Sequence, residues 1–188
     1  MPIHLEKISS TVAAYLARHP DEAPTLEPLI EALGKGFDFT SRHRFPAHVT
    51  AGVVLLDAQQ RVLQIHHRAL GCWLNPGGHC EPGDKSLVGT ALRELAEECG
   101  VGAEDIEPLD LGQFTTPDAE SEILPLRIDV QQIPHIDARS EPAHRHFDFR
   151  YAYRVLAPVA VRLSHEAGAH RWHPVTETPD KLLAAHLT

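Results

Sequence analysis

Long apolar runs are the first thing this chain of 188 residues lacks. No stretch approaches the roughly 20 apolar residues that a membrane-spanning helix needs, so no membrane partner is expected. The opening residues, MPIHLE, do not form a signal peptide, and a cytoplasmic location is the expectation. Cysteine is scarce as well. Cys72, Cys80 and Cys99 are odd in number and lack C-x-x-C spacing, which excludes a disulfide framework and argues against a structural zinc. Reduced thiols are the simplest state. Positive charge is short too: 17 lysines and arginines stand against 26 acidic residues, for a net charge of −9. That balance argues against a broad surface for nucleic-acid polymers. Small anionic ligands stay open where cations bridge the contact. Histidine, in contrast, is in surplus at 14 residues. Many of these charge as pH falls toward about 6, and some are candidate ligands.

The chemistry concentrates in residues 77–101, GGHCEPGDKSLVGTALRELAEECGV. A glycine-rich loop leads into an amphipathic helix with Leu87, Ala91, Leu92 and Leu95 on its buried side and Gly100 as its stop. Side chains three and four apart share a helix face, so Glu94, Glu97 and Glu98 gather their carboxylates. Like charges this close raise one another's pKa, and the C-terminal end of the helix dipole adds to the cost. A divalent cation reverses each of these penalties. Oxygen-only ligands suit Mg²⁺ or Mn²⁺. A solvated acidic face is the alternative reading of the same three glutamates.

This stretch resembles the Nudix box, G-x5-E-x7-R-E-U-x-E-E-x-G-U with U apolar. Gly78 matches the opening glycine, and residues 93–101, RELAEECGV, match the entire second half. One departure stands out. Counted forward from Gly78, the first glutamate position holds Asp84, but eight residues then separate it from Arg93; counted back from Arg93, the slot holds Lys85. The loop is one residue longer than the standard box, and Asp84 is the residue expected to reach Arg93 across that bulge.

The resemblance implies an α/β fold, a Nudix-type α/β/α sandwich around a mixed β-sheet. It implies a hydrolase that cleaves a pyrophosphate bond in a nucleoside diphosphate-linked or nucleotide substrate by attack of a metal-activated water. Glu97 and Glu98 are then metal ligands, Glu94 a ligand or the water-orienting base, the Gly77 carbonyl a further ligand, and Arg93 the group that orients the glutamates. A late-loop glutamate adds a ligand or base in several branches, with Glu166 the positional candidate and Glu141 the runner-up. Two other functions occur on such a scaffold. One is a non-hydrolytic nucleotide sensor, which tends to lose a box glutamate, whereas all three are present here. The other is an allylic diphosphate isomerase, which needs a reactive cysteine facing a glutamate.

The rest of the chain frames this core. Leu5, Ile8, Val12, Tyr15 and Leu16 recur at helical spacing up to His19-Pro20. A second helix carries Leu26, Leu29, Ile30 and Leu33 on one face, with Thr25 as its expected N-cap and Gly34 as its stop. These form an N-terminal helical extension, residues 1–44, before a hydrolase domain at 45–188. The extension covers one side of the core or makes a homodimer contact. The basic loop Arg42-His43-Arg44 is either solvated or meets substrate phosphates, Arg44 being the candidate.

Strands are expected at 48–56 and 61–67, joined by the turn at 57–60, and at 105–114 and 123–133 around a turn at 116–118. In residues 144–154, HRHFDFRYAYR, alternation puts Phe147, Phe149, Tyr151 and Tyr153 on one face and His144, His146, Asp148 and Arg150 on the other. The polar face has three open readings: a substrate pocket with His144, His146 and a phosphate-holding Arg150, an extra metal site, or a solvent-facing sheet surface. Trp73 and the two tyrosines stack on a base or pack in the core. A strand near 171–173 and a helix at 178–186 close the chain.

Overall fold

Ten consecutive residues, Ala47–Leu56, are all buried, and they form the strand on which the other elements converge. Burial on both faces is what a near-continuous apolar run gives when a parallel neighbour and covering layers enclose it. The computed structural model describes residues 3–109, 123–135, 137 and 140–177. Two helices, α1 (Leu5–Leu16) and α2 (Ala23–Gly34), precede this strand, β1. Then come β2 (Arg61–His67), β3 (Cys72–Leu74), β4 (Gly77–His79) and the box helix α3 (Leu87–Cys99). The sheet is completed by β5 (Ile106–Pro108), β6 (Arg127–Ile133), β7 (His144–Val155) and β8 (Ala167–Pro174).

The eight strands form one mixed sheet with the backbone order β3-β2-β1-β7-β5, while β4 pairs β1, β6 pairs β7 and β8 pairs β2. β1 and β7 run parallel over ten paired positions, from Ala47 opposite Arg145 to Leu56 opposite Arg154. The other pairings are antiparallel. Alternation then sorts the side chains. Val49, Ala51, Val53 and Leu55 of β1 join Phe147, Phe149, Tyr151 and Tyr153 of β7 in one apolar cluster. Ile8, Val12 and Tyr15 of α1, Leu26 and Leu29 of α2, and Leu87, Ala91 and Leu95 of α3 belong to that same cluster. The N-terminal helices therefore cover the core, as the first of the two expectations had it. Val54, Leu56, Val62 and Ala152 pack in a second, smaller cluster.

Where the boundaries differ from expectation, the reason is local. Helix α2 starts at Ala23 with Pro24 in its first turn, so Thr25 lies inside the helix and Glu22 takes the cap position. A proline fixes φ near the helical value and loses no bond in the first turn, which lets the helix begin earlier. β5 is described over Ile106–Pro108, and residues 110–114 of the expected strand lie outside the described residues. The turn at 116–118 and the helix at 178–186 lie outside the described residues. Among the described residues no helix is long and apolar enough to cross a membrane.

Leu29 is fully buried, whereas its neighbour Ile30 is 41% exposed. Leu29→Ala is expected to lower the unfolding free energy by about 2–5 kcal/mol through loss of burial and a residual cavity. Ile30→Ala is expected to change it by less than about 1 kcal/mol. Urea unfolding of both variants checks the pair; equal effects would mean that α2 is not docked by this face.

Candidate active site

Helix α3 is fixed at both ends. The Ser86 side chain accepts the Gly89 amide at 3.0 Å, and Gly100 turns the chain out at φ 66. A left-handed C-cap of this kind favours glycine, and a Cβ there would stand 3.0 Å from Cβ of Arg162. The helix lies against β1 and β4. It brings Glu98, only 8% exposed, to the Gly77 amide, which donates to Oε2 of Glu98 at 2.9 Å.

Glycine makes this approach possible. A Cβ on Gly77 would fall 2.6 Å from Cα of Gly52, and one on Gly52 would fall 2.6 Å from the Pro76 carbonyl oxygen. On Gly78, a Cβ would sit 2.5–2.8 Å from the Glu94 carboxylate. The backbone of β4 is thus pressed between β1 and the acidic face of α3.

Arg93 organises that face. Its guanidinium donates to Oδ1 and Oδ2 of Asp84 at 3.1 Å each, to Glu94 at 3.1 Å, to Glu97 at 2.9 Å and to the His79 carbonyl at 2.8 Å. Asp84 also accepts the Glu81 amide and the Thr90 hydroxyl, both at 2.9 Å. Burial works against its charge, but these bonds outweigh burial and hold the carboxyl below the ordinary range. Asp84 therefore reaches Arg93 in the way the longer loop requires. Lys85, the other occupant of the slot, is exposed and lines a cavity with Ile3, Ile8 and Tyr151.

The electrostatics are those of an anionic site short of cations. Burial pushes Glu98 up to about 7; the Gly77 amide and Arg150 oppose this, while Glu94 and Glu166 reinforce it. Burial also raises Glu94, against the pull of Arg93. One arginine is shared by Asp84, Glu94 and Glu97, and none of its bonds reaches Glu98. Half-buried carboxylates with this charge imbalance fit a hard divalent cation held through oxygen.

The remaining predicted residues fall into three places. Arg150 donates through Nε to Asp148 at 2.5 Å and through Nη1 to the Asn75 carbonyl at 3.4 Å, which puts it beneath the corner leading into Gly77. His144 and His146 stand farther along β7, against His48 of β1 and His79 of β4. Sequence reasoning had not singled out His48 or His79, because only the pairing register of β1 with β7 and β4 brings them there. Arg44 is exposed near Asp38 at 3.9 Å, and Glu141 pairs with Arg42 at 3.7 Å. Tyr151 and Tyr153 are buried in the core, and Trp73 lies under the Arg171 guanidinium at 4.4 Å. Cys80 and Cys99 are buried, and burial pushes their thiols up to about 11 and about 12. Neither is a reactive thiolate near neutral pH.

The fold and the site together define a mixed-sheet α/β protein whose glycine-lined strand feeds an arginine-organised acidic helix. The family follows from the chain itself: the NUDIX domain model matches residues 46–187, and the chain belongs to the Nudix family. Solved structures agree in fold. A C. elegans Ap4A hydrolase binary complex superposes with a TM-score of 0.50 at 18% identity, over 69% of this chain and 81% of that one. A NUDIX family hydrolase from Clostridium perfringens gives 0.50 at 22% identity, over 68% and 81%.

Asp84→Ala is expected to cost about 1–3 kcal/mol in urea unfolding, since it leaves the Glu81 amide without its acceptor and removes the carboxylate paired with Arg93. A change below about 0.5 kcal/mol would show that the fork does not hold the loop. Glu98 gives a pH signature in the metal-free protein. Its folded pKa of about 7 exceeds the ordinary 4.5, so the folded state binds more protons between those values. The stability this contributes is present in full below about 4.5 and is lost as pH rises through about 7. Thermal unfolding in chelator from pH 5 to 8 should fall less steeply for Glu98→Gln than for the wild type.

Proposed function

We propose that this chain is a pyrophosphohydrolase that cleaves a pyrophosphate bond in a nucleoside diphosphate-linked or nucleotide substrate with Mg²⁺ or Mn²⁺. The observation that carries the reading is the buried Glu98 carboxylate beside Glu94, with no arginine bond of its own and the Gly77 amide as its anchor. Glu97 and Glu98 hold the cation with the Gly77 carbonyl, and Glu94 is a further ligand or takes the proton of the attacking water. When bound, the cation neutralises charge on the phosphate oxygens and lowers the pKa of water. Arg93 is a positioning residue, because its bonds fix where Glu94 and Glu97 point. Arg150, whose positive charge reaches Glu98, and Arg44 on the exposed loop are the cations offered to substrate phosphates.

Magnitudes favour a division of labour. Enzymes of this chemistry lower the barrier by roughly 15–25 kcal/mol. A positioned carboxylate base contributes only about 3–5 kcal/mol of that. Charge neutralisation and alignment must supply the larger part, which matches a site made of several carboxylates around one arginine. The buried state of Cys80 and Cys99 weighs against the isomerase alternative.

The test is phosphate release from a panel of nucleoside triphosphates, nucleotide sugars, ADP-ribose and dinucleoside polyphosphates with Mg²⁺ or Mn²⁺. Turnover of at least one compound is expected, reduced at least about 100-fold by Glu97→Gln and by Glu98→Gln. Nucleotide binding without turnover of any compound would replace this reading with a sensor.

A further inference from the structure

Four imidazoles from three strands meet on the sheet face opposite the apolar cluster that packs α1, α2 and α3. His48 of β1 pairs across the ladder with His146 of β7, and His79 of β4 is paired with Thr50, two residues along β1. His144 stands two residues before His146 on β7, on the same side. The rings are in mutual contact, with centroids 4.6 Å apart for His48 and His146, 4.7 Å for His48 and His144, and 5.0 Å for His79 with each of His48 and His146. One ligand nitrogen from each of His48, His79 and His146 lies within 4.8 Å of the others.

Two nitrogen pairs have the spacing found in a coordination sphere. Nε2 of His48 stands 3.2 Å from Nε2 of His79, and Nε2 of His144 stands 3.1 Å from Nε2 of His146. Two imidazole nitrogens bound to one tetrahedral ion at about 2.0–2.1 Å are separated by roughly 3.3–3.4 Å. Both pairs are within a few tenths of an ångström of that value.

The tautomers point the same way. Nδ1 of His48 faces the Arg44 carbonyl at 3.1 Å, and Nδ1 of His144 faces the Pro142 carbonyl at 2.7 Å. A carbonyl only accepts, so each Nδ1 carries the proton in the neutral ring and each Nε2 presents a lone pair to the cluster. A backbone carbonyl behind the ring is how histidine ligands are commonly held for a metal. Burial also keeps the rings uncharged: it lowers His79 to about 3 and His146 to about 4, and lowers His48 as well. The charged groups around them are Arg42, Arg44, Glu141 and Asp148. Glu141 pairs with Arg42, and Asp148 is taken up by Thr50, Gln131 and Arg150. Among the described residues no carboxylate is left over to serve as a ligand, so the donor set is all nitrogen.

We infer that His48, His79 and His146 form a second metal site, a three-imidazole centre for Zn²⁺ or a neighbouring transition ion with its fourth position left to solvent, separate from the carboxylate site on α3; His144 backs the centre through His146. Imidazole selects zinc, nickel, cobalt or copper over the hard cations that glutamates take. The centre pins β4 to β1 and β7 directly next to the catalytic loop, because His79 follows Gly78 and gives its carbonyl to Arg93. Without an ion the same spacing is met by Nε2–H of His79 donating to His48 and Nε2–H of His146 donating to His144, and a metal would replace those protons.

The test uses the full chain stripped with a chelator and titrated with zinc chloride, followed by calorimetry and thermal unfolding. One tightly bound equivalent per chain is expected, with a raised Tm that millimolar Mg²⁺ does not reproduce. Co²⁺ in place of zinc is expected to give the intense visible bands of a tetrahedral centre. Glu98→Gln should keep both signals, and His48→Gln with His146→Gln should weaken zinc binding more than about 100-fold. The metal-free Tm of the double variant, compared with metal-free wild type, separates loss of binding from loss of fold. Absence of stoichiometric binding by the wild type would overturn the inference. So would zinc binding that survives the double histidine variant but vanishes in Glu98→Gln. Neither result depends on turnover, so the site stands or falls separately from the hydrolase reading.

Discussion

The site depends on one guanidinium. Arg93 spends its donors on Asp84, Glu94, Glu97 and the His79 carbonyl, so loop, helix and strand β4 are tied through a single planar group. An arginine can do this because its donors form a fixed fork; a lysine offers only a mobile point charge. Three carboxylates are held by one positive charge, and the fourth, Glu98, accepts a backbone amide instead, with Arg150 acting on it only through space. The local charge is therefore negative by construction, which makes the site receptive to cations before any substrate arrives.

Glycine is the second constraint. Gly52 and Gly77 face each other across the β1–β4 pair, and Gly78 faces Glu94, each with no room for a side chain. The missing side chains bring Glu98 within hydrogen-bond reach of backbone. An alanine at Gly77 would have to move β1, a strand buried along its whole length.

Much of this was legible in the sequence. The box helix, its buried leucines, its glycine stop and the acidic cluster followed from spacing, and the alternation of β7 separated core aromatics from polar groups. Even the longer loop was readable, since Asp84 was the carboxylate placed to reach Arg93. Pairing register was not readable. His48 and His79 lie 31 residues apart in sequence, and no local pattern says that β1 and β4 place them side by side. The same holds for Arg150 beneath Asn75, a contact across 75 residues. Thr25 shows the opposite limit, where a good capping residue was outcompeted by a proline one position earlier.

The parallel pairing of β1 and β7 has a further consequence for how the chain acquires its structure. Thr50 and Asp148, joined by a hydrogen bond at 2.9 Å, are 98 residues apart, and every rung of that ladder spans a comparable loop. Closing such a loop costs entropy before the contacts repay it, and parallel pairing at high sequence separation is slow. During synthesis β1 emerges with its partner β7 still unmade, a ten-residue segment that is apolar but for His48 and Thr50. Helix α3, which packs on β1 and follows it in the chain, gives that strand cover while β7 is still to come.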